Sequence, residues 1–114
     1  NRGPRRTYET AFFASRGDRK IVKAVANHIS APIQRGNHMS EKPQTVLRHF
    51  FRMLIDDTSG ILDPTCGSGS AIRAARSLGA SRMLGIERDM EFAEKAEELL
   101  TLDEAFEEDA ENVE

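Results

Sequence analysis

The chain has 114 residues, 39% of them hydrophobic and 31% charged, which allows one small domain with a modest core. No apolar run approaches the ~20 residues that cross a bilayer, so a membrane span is excluded. The single cysteine, Cys66, excludes an internal disulfide framework and fits a reducing, cytoplasmic setting. The opening Asn-Arg-Gly-Pro has neither an initiator Met nor an apolar leader, which adds to the cytoplasmic expectation and also fits a piece of something longer. The net charge of -3 hides a division: residues 1–60 carry eleven Lys/Arg against five Asp/Glu, and residues 61–114 carry five against fourteen. A basic front can face a polyanion, whereas an acidic rear is solvated or repelled by one.

In chain order, Thr7 to Ser15 is aromatic and compact, and Lys20 to Val25 is β-branched. Arg16-Gly17-Asp18-Arg19 between them has turn composition, so residues 4–27 are expected to form an edge β-hairpin. Residues 28–60 hold a loop containing Pro32 and Gly36, then a helix begun by Pro43, which lacks the N–H a first turn leaves unpaired anyway. Val46, Leu47, Phe50, Phe51, Leu54 and Ile55 recur at helical spacing as one broad apolar stripe. Residues 61–101 read as strand, glycine-rich loop, helix, strand, helix. Ile61-Leu62 and Met83 to Ile86 are the strands, Ser70 to Leu78 is the first helix, and Met90 to Leu100 turns Phe92, Ala93, Ala96, Leu99 and Leu100 inward. That βαβα order predicts a parallel sheet. Residues 102–114 are acid-rich with Phe106 and Val113 as their large apolar groups after Leu102, and this tail is expected to be disordered.

The loop Asp63-Pro64-Thr65-Cys66-Gly67-Ser68-Gly69-Ser70 falls where a strand meets a helix. Glycines there let backbone approach a ligand, and the helix start offers free N–H groups. Twenty residues after Gly67, the second strand ends in Glu87, placed to accept hydrogen bonds from ribose hydroxyls. A dinucleotide fingerprint needs a small residue where Ile72 stands, and no Gly-Lys-[Ser/Thr] follows as a phosphate-cradling loop requires. Asp63 would repel a pyrophosphate and attract a cationic amino group, which favours S-adenosylmethionine over NAD. The plainer alternative is that Asp63 caps the loop and the two glycines make a tight turn.

Ile61 to Ser70 resembles the D-P-F-x-G-S-G-T loop of the DNA amino-methyltransferases that act on the exocyclic amine of adenine or cytosine. His38-Met39-Ser40-Glu41-Lys42-Pro43 is similar to that family's H-P-[TS]-[EQ]-K-P signature, and Leu84-Gly85-Ile86-Glu87 to its G-I-E/D strand end. Pro4 to Glu9 resembles a less specific upstream segment. The resemblance covers most of residues 4–100. It implies an α/β fold, namely part of a Rossmann-like class I methyltransferase sheet, with S-adenosylmethionine as cofactor and residues 1–114 forming a single partial domain. By it, Asp63, Pro64, Gly67, Ser68 and Gly69 line the methionine and ribose part of the site. Ser40, Glu41 and Lys42 close it from the other side, with Lys42 near the methionine carboxylate, and Glu87 holds the ribose. Thr65 in place of Phe and Met39 in place of Pro are departures from the pattern.

The family's chemistry uses a [DNS]-P-P-[YFW] motif that grips the target amine and stacks on a flipped base. No Pro-Pro dipeptide occurs in the 114 residues, so no catalytic residue is nominated. The resemblance therefore implies the donor-binding part of a site-specific enzyme acting on double-stranded DNA, with the base-holding half in the same polypeptide or a partner chain. A non-catalytic S-adenosylmethionine-binding remnant or regulatory fragment is the alternative, as is an RNA or small-molecule methyltransferase. The strand at Ile61 is expected to have an open side without that half, leaving the chain marginally stable alone. Arg5, Arg6, Arg16, Arg19 and Lys20 are candidate phosphate contacts, with a charge-guarded edge strand as the alternative. Cys66 reads as a small packing group behind the glycines rather than a nucleophile, and His28, His38 and His49 lack metal-ligand spacing.

Overall fold

The computed structural model describes residues 3–4, 8–32 and 41–112, in the element order α1 (Gln44–Phe51), β1 (Gly60–Asp63), α2 (Ser70–Ser77), β2 (Arg82–Gly85) and α3 (Met90–Glu111). Pro43 precedes α1 with extended backbone, and its carbonyl accepts from the N–H groups of both Val46 and Leu47. The expected apolar stripe faces inward: Ile55 is buried, and Val46, Leu47, Phe50, Phe51 and Leu54 are half-buried. After Phe51 the chain tightens into a turn, with Ile55 N–H still reaching the Phe51 carbonyl at 2.9 Å. Asp56 then organises the bend before β1 by accepting from the backbone N–H and hydroxyl of Thr58. Those bonds hold its carboxyl below the ordinary carboxylate range.

β1 and β2 pair in parallel, with Ile61 opposite Met83, Leu62 opposite Leu84 and Asp63 opposite Gly85. Because side chains alternate across a strand, the sheet has two unlike faces. Ile61 and Met83 pack with Phe51 and Leu78 against the core of Ile55, Ala75 and Ala80. Leu62 and Leu84 lie on the other face, 64% and 60% exposed. Ile61-Leu62 is thus buried on one side only, since no described element covers the second face. The core owes its closeness to small residues: Ala74 and Ala75 of α2 have no exposed surface, which lets that helix sit directly on the sheet.

α3 begins at Asp89, whose Oδ1 caps the N–H groups of Glu91 and Phe92 at 3.0 and 3.4 Å. Its inward residues are the expected ones: Ala96 is buried, and Phe92, Ala93, Leu99 and Leu100 are half-buried. The expectation of a disordered tail from residue 102 is corrected, because the helix continues to Glu111. Two arginines one turn apart on α2 hold the extension. Arg73 grips Asp103 with two hydrogen bonds of 2.8 and 3.1 Å. Arg76 donates to the Leu100 carbonyl at 3.1 Å and forms ion pairs with Glu104 and Glu107. Residues 100, 103, 104 and 107 share one helical face, so the acids are partnered rather than merely solvated.

The expected hairpin is also corrected: among described residues 8–32 there is no strand. The turn exists, with Gly17 in the left-handed region and Arg19 N–H on the Gly17 carbonyl. The second arm, however, pairs with the end of α1 instead of the first arm. Val22 N–H donates to the Met53 carbonyl and the Arg19 guanidinium to the Leu54 carbonyl, each at 2.8 Å. His49 Nε2 donates to the Ala26 carbonyl at 2.8 Å. These bonds satisfy carbonyls that a helix end leaves open. A lone two-stranded ribbon has little to gain in competition, and the first arm leaves Phe12 fully exposed.

Candidate functional site

The loop between β1 and α2 is shaped by two glycines in the left-handed region, Gly67 (φ 55°) and Gly69 (φ 85°). Gly69 is the residue from which α2 starts, and a Cβ there would stand 3.1 Å from the Cβ of Ala96. The turn therefore needs glycine both for its backbone angle and for the approach of α3. At its other end the loop is fastened to β2. Ile86 N–H donates to the Asp63 carbonyl at 2.9 Å, and Cys66 N–H donates to the Ile86 carbonyl at 3.0 Å. Gly85 is required here for a reason the sequence does not disclose. A Cβ on it would lie 2.8 Å from Cys66 Sγ and 3.3 Å from Ile72 Cγ1.

Cys66 accordingly packs on β2, as its reading as a filler of space anticipates. Burial pushes its thiol pKa up, and the carboxylates of Asp63 and Glu87 add to the rise. Thiolate is the nucleophilic form, so this environment disfavours covalent chemistry at Cys66. Among the described residues no group of His, Cys, Asp or Glu has a metal-binding arrangement.

A cleft of about 230 Å³ opens at the carboxyl ends of the parallel strands, lined by residues that include Glu41, Lys42, Leu47, Asp63, Cys66 and Ser70. Asp63 stands at the end of β1; its Oδ1 accepts from Thr65 N–H at 3.1 Å, and its Oδ2 takes no hydrogen bond from the described residues. Oδ1 thus caps the loop, while Asp63 also lines the cleft. Gly67 and Ser68 line the cleft as well, Ser68 being buried. Gly69 is buried and outside the lining, and Pro64 is exposed in the turn. Glu87 is outside the lining but one bond from it: Oε2 accepts from Gly67 N–H at 2.8 Å and Oε1 from Asp89 N–H at 3.0 Å. The twenty-residue spacing thereby becomes a direct contact between the end of β2 and the glycine loop.

From the opposite wall, Glu41 Oε1 accepts from the Ser70 hydroxyl at 2.7 Å, while Gln44 donates to the Ser70 carbonyl at 2.8 Å. The segment before α1 is in this way bolted to the first residue of α2. Ser70, missed as a site residue in the sequence, is the hinge of that contact. Lys42 lies beside Glu41, and its ammonium pairs with Glu9 at 2.8 Å. Ser40 lies outside the described residues, as do His38 and Met39 of the same signature and the basic candidates Arg5 and Arg6. Arg16 and Lys20 are exposed. Arg19 is exposed and donates from one guanidinium nitrogen to the Leu54 carbonyl.

Among the described residues these features make an α/β arrangement of three helices and a two-stranded parallel sheet, with a glycine-lined, acid-flanked cleft at the strand ends. A family model described as DNA methylase matches residues 6–98, and the chain belongs to that family, whose members modify the N6 or N4 amino groups of DNA bases. No curated protein and no solved structure gives a significant match. No helix among the described residues is long and apolar enough to cross a membrane.

Proposed function

We propose that this chain is the S-adenosylmethionine-binding portion of a site-specific DNA methyltransferase acting on the exocyclic amine of adenine or cytosine. On this reading the βαβα unit of residues 61–101 is part of a Rossmann-like class I methyltransferase sheet, and the site residues are Ser40, Glu41, Lys42, Asp63, Pro64, Gly67, Ser68, Gly69 and Glu87. The observation that carries the proposal is the contact of Glu87 with Gly67 N–H across twenty residues, with Asp63 at the end of the neighbouring strand. Ligands of open α/β sheets bind outside the carboxyl ends of the strands. There, Glu87 would take ribose hydroxyls and Asp63 the methionine ammonium.

Transfer from such a donor asks little covalent chemistry of the protein. The sulfonium makes the methyl group electrophilic, and the amine attacks in line once the two are positioned. This chain would hold the donor. The grip on the flipped base belongs to a Pro-Pro-aromatic motif that the 114 residues do not contain, and it would come from elsewhere in the polypeptide or from a partner chain. The same absence favours, as second reading, a donor-binding fragment without catalysis of its own.

Calorimetric titration with S-adenosylmethionine, NAD and ATP tests the ligand. Binding of the methyl donor alone is expected, and Glu87→Ala should weaken it by about 1–3 kcal/mol, the effect of leaving ligand hydroxyls and the Gly67 N–H without their acceptor. Tight NAD binding with no response to the methyl donor would reject the proposal.

A further inference from the structure

Two carboxylates stand within the field of one guanidinium on α2. Ser70 and Arg73 are one helical turn apart, so their side chains share a face. A helical side chain leans over the turn before its own Cα, and for Arg73 that turn is the one at Ser70. Glu41 is fastened there by the 2.7 Å hydrogen bond from the Ser70 hydroxyl. It holds that bond with Oε1 only, and Oε2 is buried with no hydrogen-bond partner among the described residues. Arg73 feels the Glu41 charge, yet gives Nε and one terminal nitrogen to Asp103 of α3 at 2.8 and 3.1 Å. Lys42, the one cation among the residues lining the cleft, is paired with Glu9. A buried acceptor left open is destabilising, and Arg73 is the donor placed to relieve it.

We propose that Arg73 is a shared cation with two seats: it rests on Asp103 in this structure and passes to Glu41 Oε2 when Asp103 is withdrawn. Each seat satisfies a group that the other leaves open. On Asp103 the guanidinium fastens the far half of α3 and leaves Glu41 half-paired. On Glu41 it fastens the segment before α1 to α2 and neutralises one of the two carboxylates lining the cleft. The populations of the two arrangements are set by what each carboxylate can offer. The Asp103 side chain is 35% exposed, so a cation arriving from solvent can compete for it. Such competition at the acidic helix reaches the cleft wall through one side chain, without touching the cleft. The inference does not depend on which ligand the cleft takes.

A thermodynamic cycle and a spectroscopic signature test the transfer. Urea unfolding followed by circular dichroism gives the coupling between Arg73→Gln and Glu41→Gln, first with Asp103 present and then with Asp103→Asn. Glu41→Gln keeps an acceptor for Ser70 while removing the second carboxylate oxygen. With Asp103 present, the coupling should change the unfolding constant less than about twofold. With Asp103→Asn it should reach about tenfold, the scale of one hydrogen bond between charged groups. In nitrogen-15 NMR the Arg73 Nε–H, identified by its loss in Arg73→Gln, should stay slow to exchange with water in Asp103→Asn. It should become fast once Glu41→Gln is added. Asp103→Ala repeats both measurements in a residue that favours the helix and makes no new hydrogen bond. Equal coupling in the two backgrounds, or an Nε–H that exchanges fast as soon as Asp103 is replaced, would overturn the proposal. Arg73 would then be a clamp for α3 alone.

Discussion

Replacing Gly69 by alanine tests how the glycine loop is built, because two separate penalties meet there. The backbone angle of 85° lies in the left-handed region, where a Cβ costs about 1–2 kcal/mol. The added Cβ would also stand 3.1 Å from Ala96 Cβ, closer than ordinary packing, and crowding of that kind costs about 1–3 kcal/mol. Gly67→Ala supplies the control. Its angle of 55° is also left-handed, but nothing lies within 4 Å of the added Cβ, so only the first penalty applies. Gly69→Ala should therefore destabilise by about 1–3 kcal/mol more than Gly67→Ala. The excess should shrink when Ala96 is made glycine, after subtracting the ~1 kcal/mol that glycine costs within a helix. The chain has no tryptophan, and its one tyrosine, Tyr8, is exposed. Urea unfolding is thus best followed by far-ultraviolet circular dichroism. Equal destabilisation by the two substitutions, or no coupling between positions 69 and 96, would refute the argument that α3 is seated directly on the loop.

Acid should loosen α3 first. Arg73 holds the Asp103 carboxyl below its ordinary range, so the pair stabilises the fold fully above the unfolded carboxylate value and loses that contribution as pH falls through the lower folded one. The difference in stability between the chain and Asp103→Asn should be about 1 kcal/mol at neutral pH, given the partial exposure of the pair, and should vanish toward pH 2. A difference that persists in strong acid would contradict it. Glu9→Gln should release Lys42 for a ligand carboxylate and raise S-adenosylmethionine affinity by about two- to threefold, the scale of an exposed ion pair. Calorimetry showing unchanged or weaker binding would assign Glu9 to holding Lys42 in place instead.

What the sequence settled by itself is local. The stripe from Val46 to Ile55, the punctuation by Gly67 and Gly69, the strand–loop–helix order and the acid at position 87 all follow from the backbone preferences and polarity of neighbouring residues. Those preferences act within a few residues and do not depend on the rest of the molecule. Tertiary structure decided the partners. Asp103, Glu104 and Glu107 read as a solvated acidic run until Arg73 and Arg76 of α2 are found alongside. The aromatic and β-branched arms read as a hairpin until the carbonyls of Met53 and Leu54 take the second arm's donors. Ile61-Leu62 and Met83 to Ile86 read as strands without showing which face is covered, and the fold packs Ile61 and Met83 on the core while Leu62 and Leu84 stay exposed. In each case a donor, a charge or an apolar face had more than one way to be satisfied. Which one prevails depends on groups far away in the chain, brought near only by folding.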